Sequence, residues 1–211
     1  MTWSDITVQQ YQQLVELWLT SKDREPFLVA ANMVEICFRL TPNQVDSLSS
    51  VDFNKLCGDL GFLNDIPDWK PAKFVDIDGR RYRFIYDVRQ IHAARNIEVK
   101  HFNQAGLVDN LHRMAASMVV PQKRNWMFGW VDAPYDAGQH DQYSKDLLQA
   151  PITAVYGSAL FFCEVFTKSI AALSGFLTLN LTQMTEQERK QANQLLVDSC
   201  RIMDGTFRQH S

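Results

Sequence analysis

The stretch Ile152–Leu181, ITAVYGSALFFCEVFTKSIAALSGFLTLNL, is the longest apolar segment of the chain and constrains its fold more than any other. The window Ser158–Leu177 is long enough to cross a bilayer, which takes about 20 apolar residues. It also contains Glu164 and Lys168, and charges near the middle of a span are unfavourable. The two stand four apart with the acid first, the order that pairs on one helix face. Val155, Tyr156, Ala159, Phe162, Cys163, Phe166, Ile170 and Leu173 recur at helical spacing. The segment therefore reads as a buried helix with one charged stripe, the centre of a helical core, and not as a membrane span.

A core of that kind needs amphipathic partners, and the remainder of the chain supplies them. Thr7 and Gln10 form a T-x-x-Q capping box, with Ile6 placed to staple onto Tyr11. Val8, Tyr11, Leu14, Val15 and Trp18 then make one apolar face. A second helix is predicted from Pro26 to Leu40, burying Phe27, Ala30, Ala31, Val34, Cys37 and Leu40, with Pro26 suited to its first turn. Thr41-Pro42-Asn43-Gln44 opens a short helix ending near Leu48. Ser49 or Ser50 caps the next, which carries Phe53, Leu56, Cys57 and Leu60 and ends at Gly61. Pro67 and Pro71 bracket a linker.

The period then changes to two. Phe74 to Ile77, Asp78-Gly79 and Arg80 to Ile85 make a strong hairpin signal, because Asp-Gly supplies the positive φ angles of a two-residue turn. Two strands alone are marginal, so one face must lie on the helices. Beyond the hairpin, Asp87 caps a candidate helix carrying Val88, Ile91 and Ala94. A clearer one covers residues 105–120, with Leu107, Leu111, Met114, Ala115 and Met118 on one face and Pro121 at its end. Residues 121–142 look irregular, a loop length that is usually functional or mobile. Tyr143 to Gln149 is a short helix, Pro151 starts the central one, and Thr185 and Glu188 cap a charged C-terminal helix closed by Gly205. The expected architecture is a single mainly α domain with one small β-hairpin, α+β at the margin. Its parts are a helical region 1–63, the hairpin 73–85, a helical core 86–181 and an amphipathic helix 185–205.

Composition narrows the function. A net charge of −3 argues against a protein devoted to coating nucleic acid. The opening MTWSDITVQQ lacks the basic and apolar regions of a secretory signal. Cys37, Cys57, Cys163 and Cys200 are far apart, with no metal-ligand spacing, and each lies in an apolar helical context where a thiol behaves as a small hydrophobe. A reduced cytosolic compartment is the simplest reading. No cofactor is expected.

Three groups of residues are candidate sites. Arg80, Arg81, Arg83, Arg89, Arg95 and Lys100, with His92 and His101, make a basic run that reads either as an anion- or nucleic-acid-facing surface or as a solvated hairpin edge. The solvated edge is favoured, because charge runs most often are solvated faces. Trp126, Phe128, Trp130 and Tyr135 read equally as partner anchors or as rings folded back on the core. Asp132, Asp136, His140 and Asp141 offer metal-ligand atoms at a spacing that matches no motif. For catalysis there is less. Tyr156-Gly157-Ser158 lacks the second glycine of a nucleophile elbow, and Cys163 has no basic neighbour to activate it. The chain reads as non-enzymatic.

One pattern is familiar. Trp3-Ser4-Asp5-Ile6-Thr7 followed by Gln10-Tyr11-Gln12-Gln13-Leu14 resembles the W-x-D-I-(S/T)…(Y/F)-Q-x-L opening of small proteins from the structural modules of tailed phages. The Thr41-Pro42 step, Phe53-Asn54-Lys55-Leu56 with Phe62-Leu63, the hairpin, and the Phe161-Phe162 segment are similar too. The similarity runs over about residues 1–180 at the level of pattern. It implies tail assembly chaperones or minor virion components of crAss-like and other Bacteroidetes phages. The function so implied is a virion structural or assembly protein, or a transient chaperone, located in the virion or in the host cytoplasm during assembly. Its partners would be other phage structural proteins, in a homo-oligomer or ring and without membrane; a nucleic-acid contact through the arginine hairpin is the weaker alternative. The resemblance carries no catalytic residue.

Overall fold

The computed structural model describes residues 1–67, 69–87, 95, 106–127, 129–134 and 136–162. The proposed helix after Asp87, the Glu164–Lys168 pair, most of the apolar stretch, Cys163, Cys200 and the C-terminal helix 185–205 lie outside the described residues. The fold is a helix-dominated α+β domain with a small antiparallel sheet.

Four helices come first: α1 (Val8–Thr20), α2 (Pro26–Phe38), α3 (Pro42–Asp46) and α4 (Ser50–Asp59). Their starts obey local rules. The Thr7 hydroxyl accepts from the Gln10 backbone N–H and the Gln10 amide oxygen accepts from that of Thr7, at 3.2 and 3.0 Å. Thr41 and Gln44 repeat the box before α3, and Ser49 caps α4. Their ends and faces depart from expectation. Gly61 lies within a 3-10 turn, Leu60–Asn64, that continues α4. Arg39, at φ 55°, makes the left-handed cap of α2 without a glycine. Trp18 and Phe27 are exposed, at 37% and 61%, while Leu17, Val34 and Cys37 are buried. The face of α1 is rotated by about one residue from the expected one, whereas that of α2 is as expected at Val34 and Cys37 and is bare only in its first turn, where residues 26–28 are all exposed.

The Asp78-Gly79 turn takes φ of 47° and 79° between β1 (Phe74–Ile77) and β2 (Arg80–Phe84). The hairpin is half of a larger sheet. After α5 (Leu111–Ala116) come β3 (Val119–Asn125) and β4 (Gly129–Asp132), and the sheet runs β1-β2-β3-β4, antiparallel throughout. The expected helix over 105–120 is thus shorter, and the expected irregular region contains most of β3, all of β4, a 3-10 turn and the start of the next helix. Val119 and Val120 pair with Phe84 and Arg83, and sheet pairing outweighs the helical spacing of Met114 and Met118. Pro121 ends no helix but sits inside β3. Its carbonyl accepts from Ala133 N–H, just past the end of β4, so the missing proline N–H faces the point where that ladder stops.

Val75, Ile77, Tyr82 and Phe84 point inward. They join one core with Leu111, Met114 and Leu147 from α5 and α6 (His140–Leu148), and with Ile152, Val155 and Phe162 from α7, whose described part covers 152–162. The N-terminal motif ties this last helix down. Val8 N–H donates to Ala150 O and Ile152 N–H to Ile6 O, a short antiparallel bridge between the two ends of the described chain. Trp3, Tyr11, Phe62, Trp69 and Tyr156 form one aromatic cluster, closest between Trp69 and Tyr156 at 4.7 Å. Burial, with the neighbouring Tyr156, pushes the Tyr11 hydroxyl up to about 12. Within the opening motif, Trp3, Ile6, Thr7, Gln10, Tyr11 and Leu14 are therefore structural residues.

Candidate functional site

The strands bring the three arginines of the hairpin onto carboxylates. Arg80 Nη1 donates to Asp146 Oδ2 on α6 (2.7 Å). Arg81 holds Asp76 with two bonds, at 2.7 and 2.8 Å, and Arg83 holds Asp132 on β4 at 2.6 Å from Nη2. Asp146 also accepts from Tyr82 and Gln142. Its burial pushes the carboxyl pKa up, but these hydrogen bonds and Arg80 outweigh that and hold it below the usual range. Hydrogen bonds from Arg81 and Arg83 likewise lower Asp76 and Asp132. Arg95 is buried and donates to Val119 O (2.7 Å), so it belongs to the interior and not to a basic surface. Arg89, Lys100, His92 and His101 lie outside the described residues.

The aromatic group divides. Trp126 is 91% exposed, and Trp130 is 40% exposed on β4; Phe128 and Tyr135 lie outside the described residues. Neither tryptophan folds back on the core. The β3–β4 turn holds Trp126 outward through two local devices. Asn125 Oδ1 accepts from Met127 N–H (2.9 Å), and Gly129 takes φ 73°. Arg81 Cζ lies 5.0 Å from the Trp130 ring and 5.5 Å from the Phe74 ring, both within cation–π range. Phe74 was missed by the sequence reading. Its signal was the alternation of β1, which turns Val75 and Ile77 inward and Phe74 outward.

The would-be metal ligands are dispersed. Asp132 holds Arg83, Asp136 caps the 3-10 turn Ala137–Gln139, and His140 Nε2 faces Ser117 Oγ at 3.0 Å. Among the described residues no group of three or more His, Cys, Asp or Glu is placed to hold a metal. Nor is any helix among them long and apolar enough to cross a membrane. Burial pushes the Cys37 thiol up to about 11, away from reactivity.

His112 is a half-buried titratable group with a defined partner. Its Nδ1 lies 3.1 Å from Gln12 Nε2, an amide nitrogen that also donates to Val108 O and Asp109 O. Gln12 can only donate from that nitrogen, so Nδ1 must accept, which selects the neutral Nε2–H tautomer. Burial, then Arg113 and His140, push the ring down to about 4. Between that value and the ordinary 6.5 the unfolded chain binds the proton and the folded chain does not. Stability is present above 6.5 and falls as the pH falls toward 4. Between about pH 7 and pH 5 the loss should be about 1 kcal/mol, discounted because the ring is partly exposed. Urea midpoints at the two pH values measure it; His112→Gln should abolish this limb, and an unchanged limb would remove the assignment.

Together these features define a helix-dominated α+β domain with an open aromatic and cationic sheet face. The chain matches no protein-family model, no curated protein and no solved structure.

Proposed function

We propose that this chain is a non-enzymatic bacteriophage structural or assembly protein that works through protein–protein contacts. One observation supports the docking role best. Leu19 at the end of α1, Phe27 and Leu28 at the start of α2, and Val51 at the start of α4 are each more than half exposed. Only a short polar turn separates α1 from α2, and the Phe27 and Phe53 rings lie 5.2 Å apart. These side chains therefore share one end of the helical layer, and exposed apolar groups gathered in that way mark contact surfaces. The similarity of the N-terminal pattern to phage structural-module proteins supports the biological setting.

Two measurements test the proposal. Mass spectrometry of tailed-phage particles whose genome encodes the chain should find it either in mature particles, as a component, or only in assembly intermediates, as a chaperone. Its absence from both overturns the reading. Phe27→Asp combined with Leu28→Asp should reduce association with those particles or intermediates by tenfold or more, with little change in melting temperature, because exposed sites contribute little to folding. Undiminished association would remove this surface from the proposal.

A further inference from the structure

The outward face of the sheet combines two features that recur where single-stranded nucleic acid is bound without sequence preference: exposed aromatic rings and unneutralised positive charge. Val75, Ile77, Tyr82 and Phe84 cover the core from the inner face, so Phe74, Arg81 and Trp130 fall on the outer one. Arg81 lies within cation–π range of both rings, and Asp76 holds its guanidinium from one side. The rings and guanidinium thus form a row from the β1 edge to the β4 edge. Trp126 extends the row beyond the sheet, on a turn stiffened by Asn125 and Gly129.

The charge decides the ligand class. The carboxylates of this face, Asp76 and Asp132, are already held by Arg81 and Arg83. Arg124, beside Trp130, has no carboxylate partner among the described residues, whereas Lys123, the cross-strand partner of Val131, has the parity of the inner face. Arg124 is the cross-strand partner of Trp130, which places an exposed cation beside an exposed ring. A chain of stacked bases joined by phosphates complements both features, bases on the rings and phosphates on the cation. A duplex hides its base faces and would use only the cation. An acidic peptide would likewise leave the exposed rings without a stacking partner.

We propose that the outer sheet face, with Trp126 and Trp130 as stacking residues and Arg124 as a phosphate contact, binds single-stranded nucleic acid. This site shares no residue with the helical end assigned above to protein docking, so either can fail alone. The probe is a labelled oligothymidylate of about 20 nucleotides, followed by fluorescence anisotropy of the full chain at low salt. Binding should weaken steeply as salt rises, and a duplex of equal length should bind more weakly. Trp126→Ala with Trp130→Ala should weaken binding by about tenfold or more, Trp126→Phe with Trp130→Phe should restore most of it, and Arg124→Glu should weaken it and flatten the salt slope. Circular dichroism and urea midpoints confirm that the variants stay folded. Three results overturn the proposal: no binding at low salt, binding that the double tryptophan variant leaves unchanged, or equal affinity for the duplex or for polyglutamate.

Discussion

Replacing Gly157 by alanine should destabilise the protein by about 2 kcal/mol, although alanine is the better helix former. The position lies within α7, where the exchange would by itself gain about 1 kcal/mol. Against that stands a close approach of backbone. A Cβ at residue 157 would lie 2.7 Å from Lys70 O and 2.9 Å from the carbonyl carbon of Trp69. Neither atom can swing aside as a side-chain tip would, and overpacking of this kind typically costs about 1–3 kcal/mol. The segment cannot move off freely either. Ala72 N–H donates to Ser158 Oγ (3.1 Å), the Tyr86 hydroxyl contacts both Ala72 O and Ser158 Oγ, and Trp69 packs on Tyr156. Lifting residues 69–70 to admit a methyl group strains all of these contacts, so the clash outweighs the propensity gain. Gly58 on α4 is the internal control. A Cβ there would meet nothing within 4 Å, and Gly58→Ala should stabilise by about 0.5–1 kcal/mol. Urea denaturation of the two variants should therefore shift the midpoint in opposite directions. A Gly157→Ala protein as stable as Gly58→Ala would show that the segment does not lie on the helix as described.

Gln10→Ala should cost about 3 kcal/mol, far more than an ordinary capping substitution. Gln10 is 5% exposed and serves two helices at once. Its amide oxygen accepts from Thr7 N–H and closes the box at the start of α1. Its amide nitrogen donates to Ile36 O (2.8 Å) and Cys37 O (3.0 Å), carbonyls in the last turn of α2 that lack helical partners. Alanine removes the cap, worth about 1 kcal/mol, and leaves buried carbonyls unsatisfied at about 1–3 kcal/mol. Gln44 makes the same box before α3 but is exposed, so Gln44→Ala should cost only about 0.5–1 kcal/mol. Gln10→Glu separates the two roles. It keeps the acceptor for Thr7 but turns a carboxylate oxygen toward two carbonyl oxygens, so it should be strongly destabilised at neutral pH and regain stability in acid. Equal midpoints for Gln10→Ala and Gln44→Ala would refute the bridging role.

These two residues show where sequence reading succeeds and where it stops. The pairing of Gln10 with Thr7 was legible because the two partners stand three residues apart and the geometry of a helix start brings them together wherever the helix forms. That Gln10 also reaches the far end of α2 was not legible, since nothing local relates residue 10 to residues 36 and 37. Gly157 was noticed within Tyr156-Gly157-Ser158 only as a failed nucleophile motif. Its role depends on a segment nearly 90 residues earlier in the chain crossing that helix. The candidate surfaces divide in the same way. Arg80, Arg81 and Arg83 were visible as a basic run, but the carboxylates that hold Arg80 and Arg83 come from α6 and β4.

Local chemistry therefore settled the starts of the first four helices, the Asp78-Gly79 turn and the helix-dominated class, because capping bonds, a first-turn proline and positive-φ turns involve residues a few positions apart. Packing settled the rest. Val119 and Val120 became strand because β2 offered an unpaired edge, and Phe27 stayed exposed because the first turn of α2 extends past the segments that cover Val34 and Cys37. Both outcomes depend on burial and hydrogen bonding between distant segments, whose energies exceed the few tenths of a kcal/mol per residue that propensity supplies.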